Sequence, residues 1–148
     1  MLKITCPSCG AINQIDAAKL PESAEKAVCG RCQSPLLSAD VLSLTDSTFD
    51  RFIKANDLPV VVDFWASWCG PCKAMAPVYD ALSEQFVGRA RLTKLNTESA
   101  RITASQNGIR SIPTLAVFCG GKEVDRLSGA LPQAELKQWL DAAVAKCR

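Results

Sequence analysis

The stretch from Val60 to Lys73, VVVDFWASWCGPCK, constrains this chain more than any other. It opens as a nearly unbroken apolar run, the pattern of a strand buried on both faces of a parallel sheet. A short turn through Ala66, Ser67 and Trp68 follows. Then come Cys69 and Cys72 in C-x-x-C spacing, with Gly70 and Pro71 between them and a helical pattern after them. A helix start offers unpaired N–H groups and the positive end of a dipole, and both favour a thiolate over a thiol. The spacing predicts a reactive dithiol where a buried strand meets a helix.

Length, charge and residue counts narrow the chemistry. The chain has 148 residues, 22% of them charged, which suits one ordinary domain plus something small. Its formal net charge of +2 points to neither nucleic acid nor an acidic membrane. Of eight cysteines, six form three C-x-x-C pairs, Cys6/Cys9, Cys29/Cys32 and Cys69/Cys72, and there is no histidine. Cysteine chemistry without histidine must be activated by backbone, carboxylate or lysine, which favours disulfide exchange over a Cys–His hydrolase. No stretch has the length of a membrane span, and Cys6 precedes any apolar run of signal-peptide length, so a cytoplasmic address is expected.

Residues 1–38 read as a separate module and 39–148 as the main domain. CPSC and CGRC, with 19 residues between them, fit the spacing of a four-thiolate zinc site built from Cys6, Cys9, Cys29 and Cys32. Each C-x-x-C turn presents two sulfurs from one tight loop, with Gly10 and Gly30 expected to supply φ freedom. Disulfides between these cysteines are the alternative, but a segment so short needs a staple and zinc is the reading favoured. Over residues 1–40 the basic residues Lys3, Lys19, Lys26 and Arg31 balance Asp16, Glu22, Glu25 and Asp40. A nucleic-acid-binding ribbon would be basic.

Downstream, Leu42–Leu44 is expected as an edge strand, and Thr45 or Asp46 as the cap of a helix burying Phe49, Phe52 and Ile53. The helix after Cys69 should run to about Phe86, burying Ala76, Val78, Tyr79, Leu82 and Phe86, with Pro77 kinking it. A strand over 90–95, a helix over 98–107, and a hairpin turning at Gly120-Gly121 between strands 114–119 and 123–127 follow. A last helix from Pro132 presents Leu136, Trp139, Leu140, Ala143 and Val144 on one face. The order β-α-β-α-β-α-β-β-α predicts an α/β mixed sheet with helices on both faces. Asp63 interrupts the buried strand, either as a carboxylate satisfied by Lys94 or water, or as a proton relay of raised pKa for Cys72. Cys119 reads as packing, and Cys147 as core or an oxidisable thiol.

WCGPCK after an apolar strand, Asp63, Ile112-Pro113-Thr114 and a late Gly-Gly hairpin together resemble the thioredoxin family over roughly 42–148. With the four-cysteine module, the chain resembles the zinc-containing bacterial members called thioredoxin 2. The resemblance implies the thioredoxin fold preceded by a zinc-ribbon-like module, and a protein-disulfide reductase. Cys69 would be the nucleophile and Cys72 the resolving thiol, with Gly70 and Pro71 tuning the pair. Asp63 would be the relay and Lys94 its tuning cation. The bond before Pro113 would be cis, the Ile112 backbone would pair with substrate, and Trp68, Gly129 and Ala130 would form the docking surface. A thiol pKa of about 7 and a potential of about −270 mV are family values carried over with the resemblance. The implied partners are disulfide-containing clients and an NADPH-dependent thioredoxin reductase, with a monomeric protein, structural or redox-sensitive zinc and no organic cofactor. An oxidase or isomerase, a non-enzymatic docking subunit, and a zinc module acting as redox switch are the rivals.

Overall fold

A computed structural model describes residues 1–20 and 24–147, so Glu22 of the charge balance and the terminal Arg148 lie outside the described residues. The chain begins with an antiparallel hairpin, β1 (Leu2–Thr5) and β2 (Ile12–Ile15), in register from Leu2↔Ile15 to Thr5↔Ile12. The first cysteine turn closes this hairpin. The second lies beside an isolated antiparallel bridge, Val28↔Pro35. The two turns repeat one backbone design. Gly10 N donates to Cys6 O and Cys6 N to Ala11 O, while Gln33 N donates to Cys29 O and Cys29 N to Ser34 O. The left-handed position is therefore the fourth residue after the first cysteine, Gly10 at φ 77° and Gln33 at φ 64°. Gly30, expected to supply that freedom, is not the left-handed residue of its turn.

The main sheet has the order β3-β5-β4-β6-β7. Its strands are β3 (Leu42–Leu44), β4 (Val60–Trp65), β5 (Arg91–Asn96), β6 (Thr114–Cys119) and β7 (Lys122–Ser128). β3, β5 and β4 run parallel, and β6 and β7 are antiparallel additions. The VVVDFW run is thus the middle strand, flanked on both edges and covered on both faces, which is why it is apolar. Alternation along β4 sorts its side chains. Val60, Val62 and Phe64 pack with Leu95, Ala116 and Phe118 against α1 (Phe49–Lys54) and Ala100, which precedes α3 (Arg101–Gln106). Val61 packs with Leu92, Leu115 and Val117 against α2 (Gly70–Gln85) and α4 (Gln133–Ala145). Asp63 shares the parity of Val61 and so faces α2, the helix that carries the cysteines.

Two local expectations are corrected. Thr48, not Thr45 or Asp46, precedes α1 as its cap. Asp46 is spent on α3, accepting from Thr103 N at 2.8 Å and Thr103 Oγ1 at 2.7 Å. On α2 the buried residue is Met75 and not Ala76, which is exposed, because Cys72, Met75, Tyr79, Leu82 and Phe86 define the inward stripe.

The N-terminal module is packed onto the main domain. Lys3 and Asp57 exchange two hydrogen bonds: Lys3 N donates to Asp57 Oδ2 at 2.7 Å and Asp57 N to Lys3 O at 2.9 Å. Thr5 N donates to Asn56 Oδ1 at 3.0 Å. The Arg91 guanidinium, only 8% exposed, donates to Asn56 Oδ1 at 2.7 Å, Leu36 O at 3.0 Å and Thr5 O at 3.4 Å. Burial pulls its pKa down to about 10. It also lies over the Phe52 ring. Leu58 and Val87 complete a small core with Ile4, Leu36 and Leu37.

Candidate active site and metal centre

β4 ends at Trp65, and the turn through Ala66, Ser67 and Trp68 delivers Cys69 to the first position before α2. Glu98 fixes the turn by accepting from Ser67 N at 3.2 Å and Ser67 Oγ at 2.9 Å. Trp68 is consequently thrown outward, 69% exposed. Cys69 and Cys72 are disulfide-bonded, with Cα atoms 5.3 Å apart. Cys69 is the N-cap of α2, and Cys72 N donates to its Sγ at 3.2 Å. A backbone donor and the helix dipole therefore both converge on this sulfur, and a negative charge would sit there at least cost. Gly70 and the N1/N2 proline, Pro71, occupy the exposed first turn between the cysteines. In the bonded state Cys69 is 4% exposed, against 2% for Cys72, because Trp65, Ala66 and Ile112 close around the pair.

The opposite wall is the entry to β6. The Ile112–Pro113 bond is cis, and Ile112 O lies 3.8 Å from Cys69 Sγ. Gly129, at φ 101°, donates its N–H to Pro113 O at 2.8 Å. That bond carries the exposed Gly129-Ala130 pair to the same rim as Pro113. Ile112 thus borders the cysteine pair, with Gly129 tied to the neighbouring Pro113.

Beneath it lies a cavity of about 150 Å³ lined by Asp63, Cys72, Tyr79, Asp80, Lys94 and Trp65 among others. Asp63 is 4% exposed, and its Oδ1 has no hydrogen-bond partner among the described residues. Burial pushes its carboxyl up to about 7, opposed by the charge of Lys94 and reinforced by that of Asp80. Lys94 sits opposite Asp63 in the parallel β4–β5 register, with its ammonium 5.6 Å from the Trp65 ring centroid. Among the described residues no ion pair joins the two. A neutral buried carboxyl that becomes basic when charged is suited to trading a proton near pH 7. Sequence reasoning missed Tyr79 and Asp80, although they lie seven and eight residues beyond Cys72, two helical turns along the same side. The Tyr79 hydroxyl donates to Thr93 O at 2.7 Å and contacts Val61 O at 3.2 Å, so it forms the cavity floor.

In the N-terminal module all four sulfurs lie within 4.8 Å of one another. Cys6 and Cys32 Sγ are 3.6 Å apart, and Cys9 and Cys29 Sγ 3.7 Å. Tetrahedral metal–sulfur bonds of about 2.3 Å require sulfur–sulfur edges of about 3.8 Å, so the donor set fits a tetrahedral thiophilic cation. Backbone N–H groups also face the sulfurs, with Ser8 N 3.4 Å from Cys6 Sγ and Arg31 N 3.3 Å from Cys29 Sγ. Asn13, which spacing could not single out, donates to Cys29 Sγ at 3.4 Å and accepts from Gly30 N at 2.9 Å. The Cys32 N–H and this amide are the leading forces that lower the Cys29 thiol pKa.

Cys147 packs against the core shared by α2 and α4, as one of its two readings expects, but Cys119 and Cys147 are not separate side chains. They are half-buried and bonded to each other, Cα to Cα 5.5 Å.

Residues 40–142 match the profile of the family described as thioredoxin. Thioredoxin 1 of Nostoc sp. is 50% identical over 98 residues, 66% of this chain and 92% of that one. Thioredoxin C-3 of Corynebacterium nephridii is 45% identical over 141 residues, 93% of this chain and 92% of that one, a span that takes in most of the cysteine module. A thioredoxin of Synechocystis sp. is 49% identical over 98 residues, again 92% of its length.

Proposed function

Because the chain belongs to the thioredoxin family, and is a protein-disulfide reductase, we propose how its own residues carry the reaction. The Cys69 thiolate attacks one sulfur of a client disulfide, forming a mixed disulfide and expelling the other client sulfur as a thiolate. The Cys72 thiolate then attacks Cys69 Sγ and releases the second client thiolate, leaving the Cys69–Cys72 disulfide. The observation that carries the order of attack is the bond from Cys72 N to Cys69 Sγ at the N-cap of α2. It favours charge on Cys69 and not on Cys72. Cys72 must lose its proton for the second step, and Asp63 lines the same cavity with a pKa of about 7. Lys94 tunes that carboxyl through its charge. Client backbone pairs with Ile112, while Trp68, Gly129, Ala130 and Pro113 supply an apolar seat. Gly70 and Pro71 keep the first turn open around Cys69.

The metal that suits Cys6, Cys9, Cys29 and Cys32 is zinc, supported by the sulfur spacing and by a thiolate-only donor set. When bound it supplies cross-linking of the two cysteine turns. With residues 1–38 as this module and 39–148 as the catalytic domain, the chain is of the zinc-containing thioredoxin 2 type, cytoplasmic and monomeric. An NADPH-dependent thioredoxin reductase returns the dithiol. Cys72→Ser tests the order of attack. The variant should accumulate a covalent client adduct, and peptide mapping should place the client on Cys69. An adduct on any other cysteine, or none at all, would contradict the assignment.

A further inference from the structure

Four of the eight cysteines converge in the N-terminal module and two form the active pair; the remaining two meet at the other end of the sheet. Cys119 is the last residue of β6, six residues beyond Pro113, or about 20 Å along a strand. It is held in place by pairing with Lys122 across the Gly120-Gly121 turn, where both glycines take positive φ (59° and 87°). Cys147 follows α4, fixed by its own N–H donating to Val144 O. A salt bridge from Lys146 Nζ to Asp125 Oδ2, 2.8 Å, draws the end of α4 to β7 at the same corner. Cys147 also borders a surface depression with Pro59, Arg89 and Asp141. Pro59 immediately precedes β4, so this is the end of the sheet away from Cys69. The Cα separation of 5.5 Å falls within the range a disulfide spans without moving the backbone. Both residues are half-buried, so a small oxidant reaches them.

We propose that Cys119 and Cys147 are a second, reversible dithiol–disulfide pair, closed by exchange with disulfide-class oxidants and serving as a redox-dependent staple on α4. One thiolate attacks an external disulfide, forms a mixed disulfide and expels one thiolate. The other protein thiolate attacks the bonded protein sulfur and expels the second. Two protein thiols are oxidised, one external disulfide is reduced to two thiols, and the two protons pass to the expelled thiolates. Closure links residues 28 apart in sequence and encloses β7 and α4. α4 contributes Leu136, Leu140 and Ala143 to the core shared with α2. Oxidation therefore restrains the helix behind the active pair without touching the site itself.

The test uses the full-length, metal-loaded protein, first reduced and then equilibrated with oxidised glutathione. After alkylation and proteolysis, the peptide holding Cys119 should be recovered cross-linked to the one holding Cys147. Cys147→Ser should lose that species while its insulin-reducing rate stays within about twofold of wild type. Oxidation should raise the melting temperature of wild type by roughly 10 °C more than that of Cys147→Ser, the effect of closing a loop of this length. Recovery of Cys119 and Cys147 as free thiols or separate glutathione adducts would overturn the proposal. An equal rise in both proteins would overturn the staple.

Discussion

Asp63 is a carboxylate placed where a carboxylate is costly, and its burial has a measurable pH signature. Its pKa rises from an ordinary 3.8 to about 7 in the folded protein, desolvation being the main cause. Between these values the folded state binds a proton that the unfolded state has released. Stability is therefore fully present below about 4 and is lost as pH climbs through 7. Urea unfolding should show wild type losing roughly 2–3 kcal/mol between pH 5 and 8, a loss that Asp63→Asn escapes. A parallel decline in the variant would mean that Asp63 is not the group responsible. The same variant should slow release of client from the mixed disulfide, since Cys72 loses its proton acceptor. The interruption of VVVDFW by one acid was legible in the sequence, and the parity of the strand was enough to aim it at α2. That its Oδ1 has no hydrogen-bond partner among the described residues was not, because Lys94 sits at the matching register yet turns its ammonium over Trp65.

At the scale of elements, pattern and structure agree where one strong period dominates. The middle strand, the Gly120-Gly121 hairpin and the face of α4 that carries Leu136, Leu140 and Ala143 follow from alternation, turn chemistry and helical spacing. Disagreements fall where tertiary partners outbid local preference. Asp46 would cap α1 by local rule, but two donors from Thr103 claim it. Gly30 looks like the flexible residue of its cysteine turn, yet Gln33 takes the left-handed position that Gly10 takes in the first. The hairpin of β1 and β2 left no signal in a segment read only for its cysteines. The docking of that hairpin depends on Arg91, whose donors serve Thr5 O, Leu36 O and Asn56 Oδ1. Arg91→Ala would leave buried acceptors unpaired and should cost roughly 2–4 kcal/mol in unfolding experiments. Hydrogen exchange should show the Thr5 amide losing protection first. Unchanged protection there would show that the apolar contacts of Leu58 and Val87 suffice.

The whole molecule joins two differently stabilised parts. The sheet domain has two apolar layers of its own, whereas the N-terminal module has a few aliphatic side chains and four clustered cysteines. Stripping metal with a chelator should deprotect the β1 and β2 amides while β4 and β6 keep their slow exchange. Loss of protection across both would mean that the two parts fold as one unit. Catalysis is expected to survive metal removal, because Cys69, Cys72, Asp63 and Lys94 are all held by the sheet domain. The most direct measurement is NADPH-coupled reduction of insulin disulfides with a thioredoxin reductase, comparing wild type with Cys69→Ser. Rapid turnover by wild type and none above background by the variant is the expected result. An active Cys69→Ser, or an inactive wild type with its four-cysteine module intact, would contradict the assignment of the reaction to this pair.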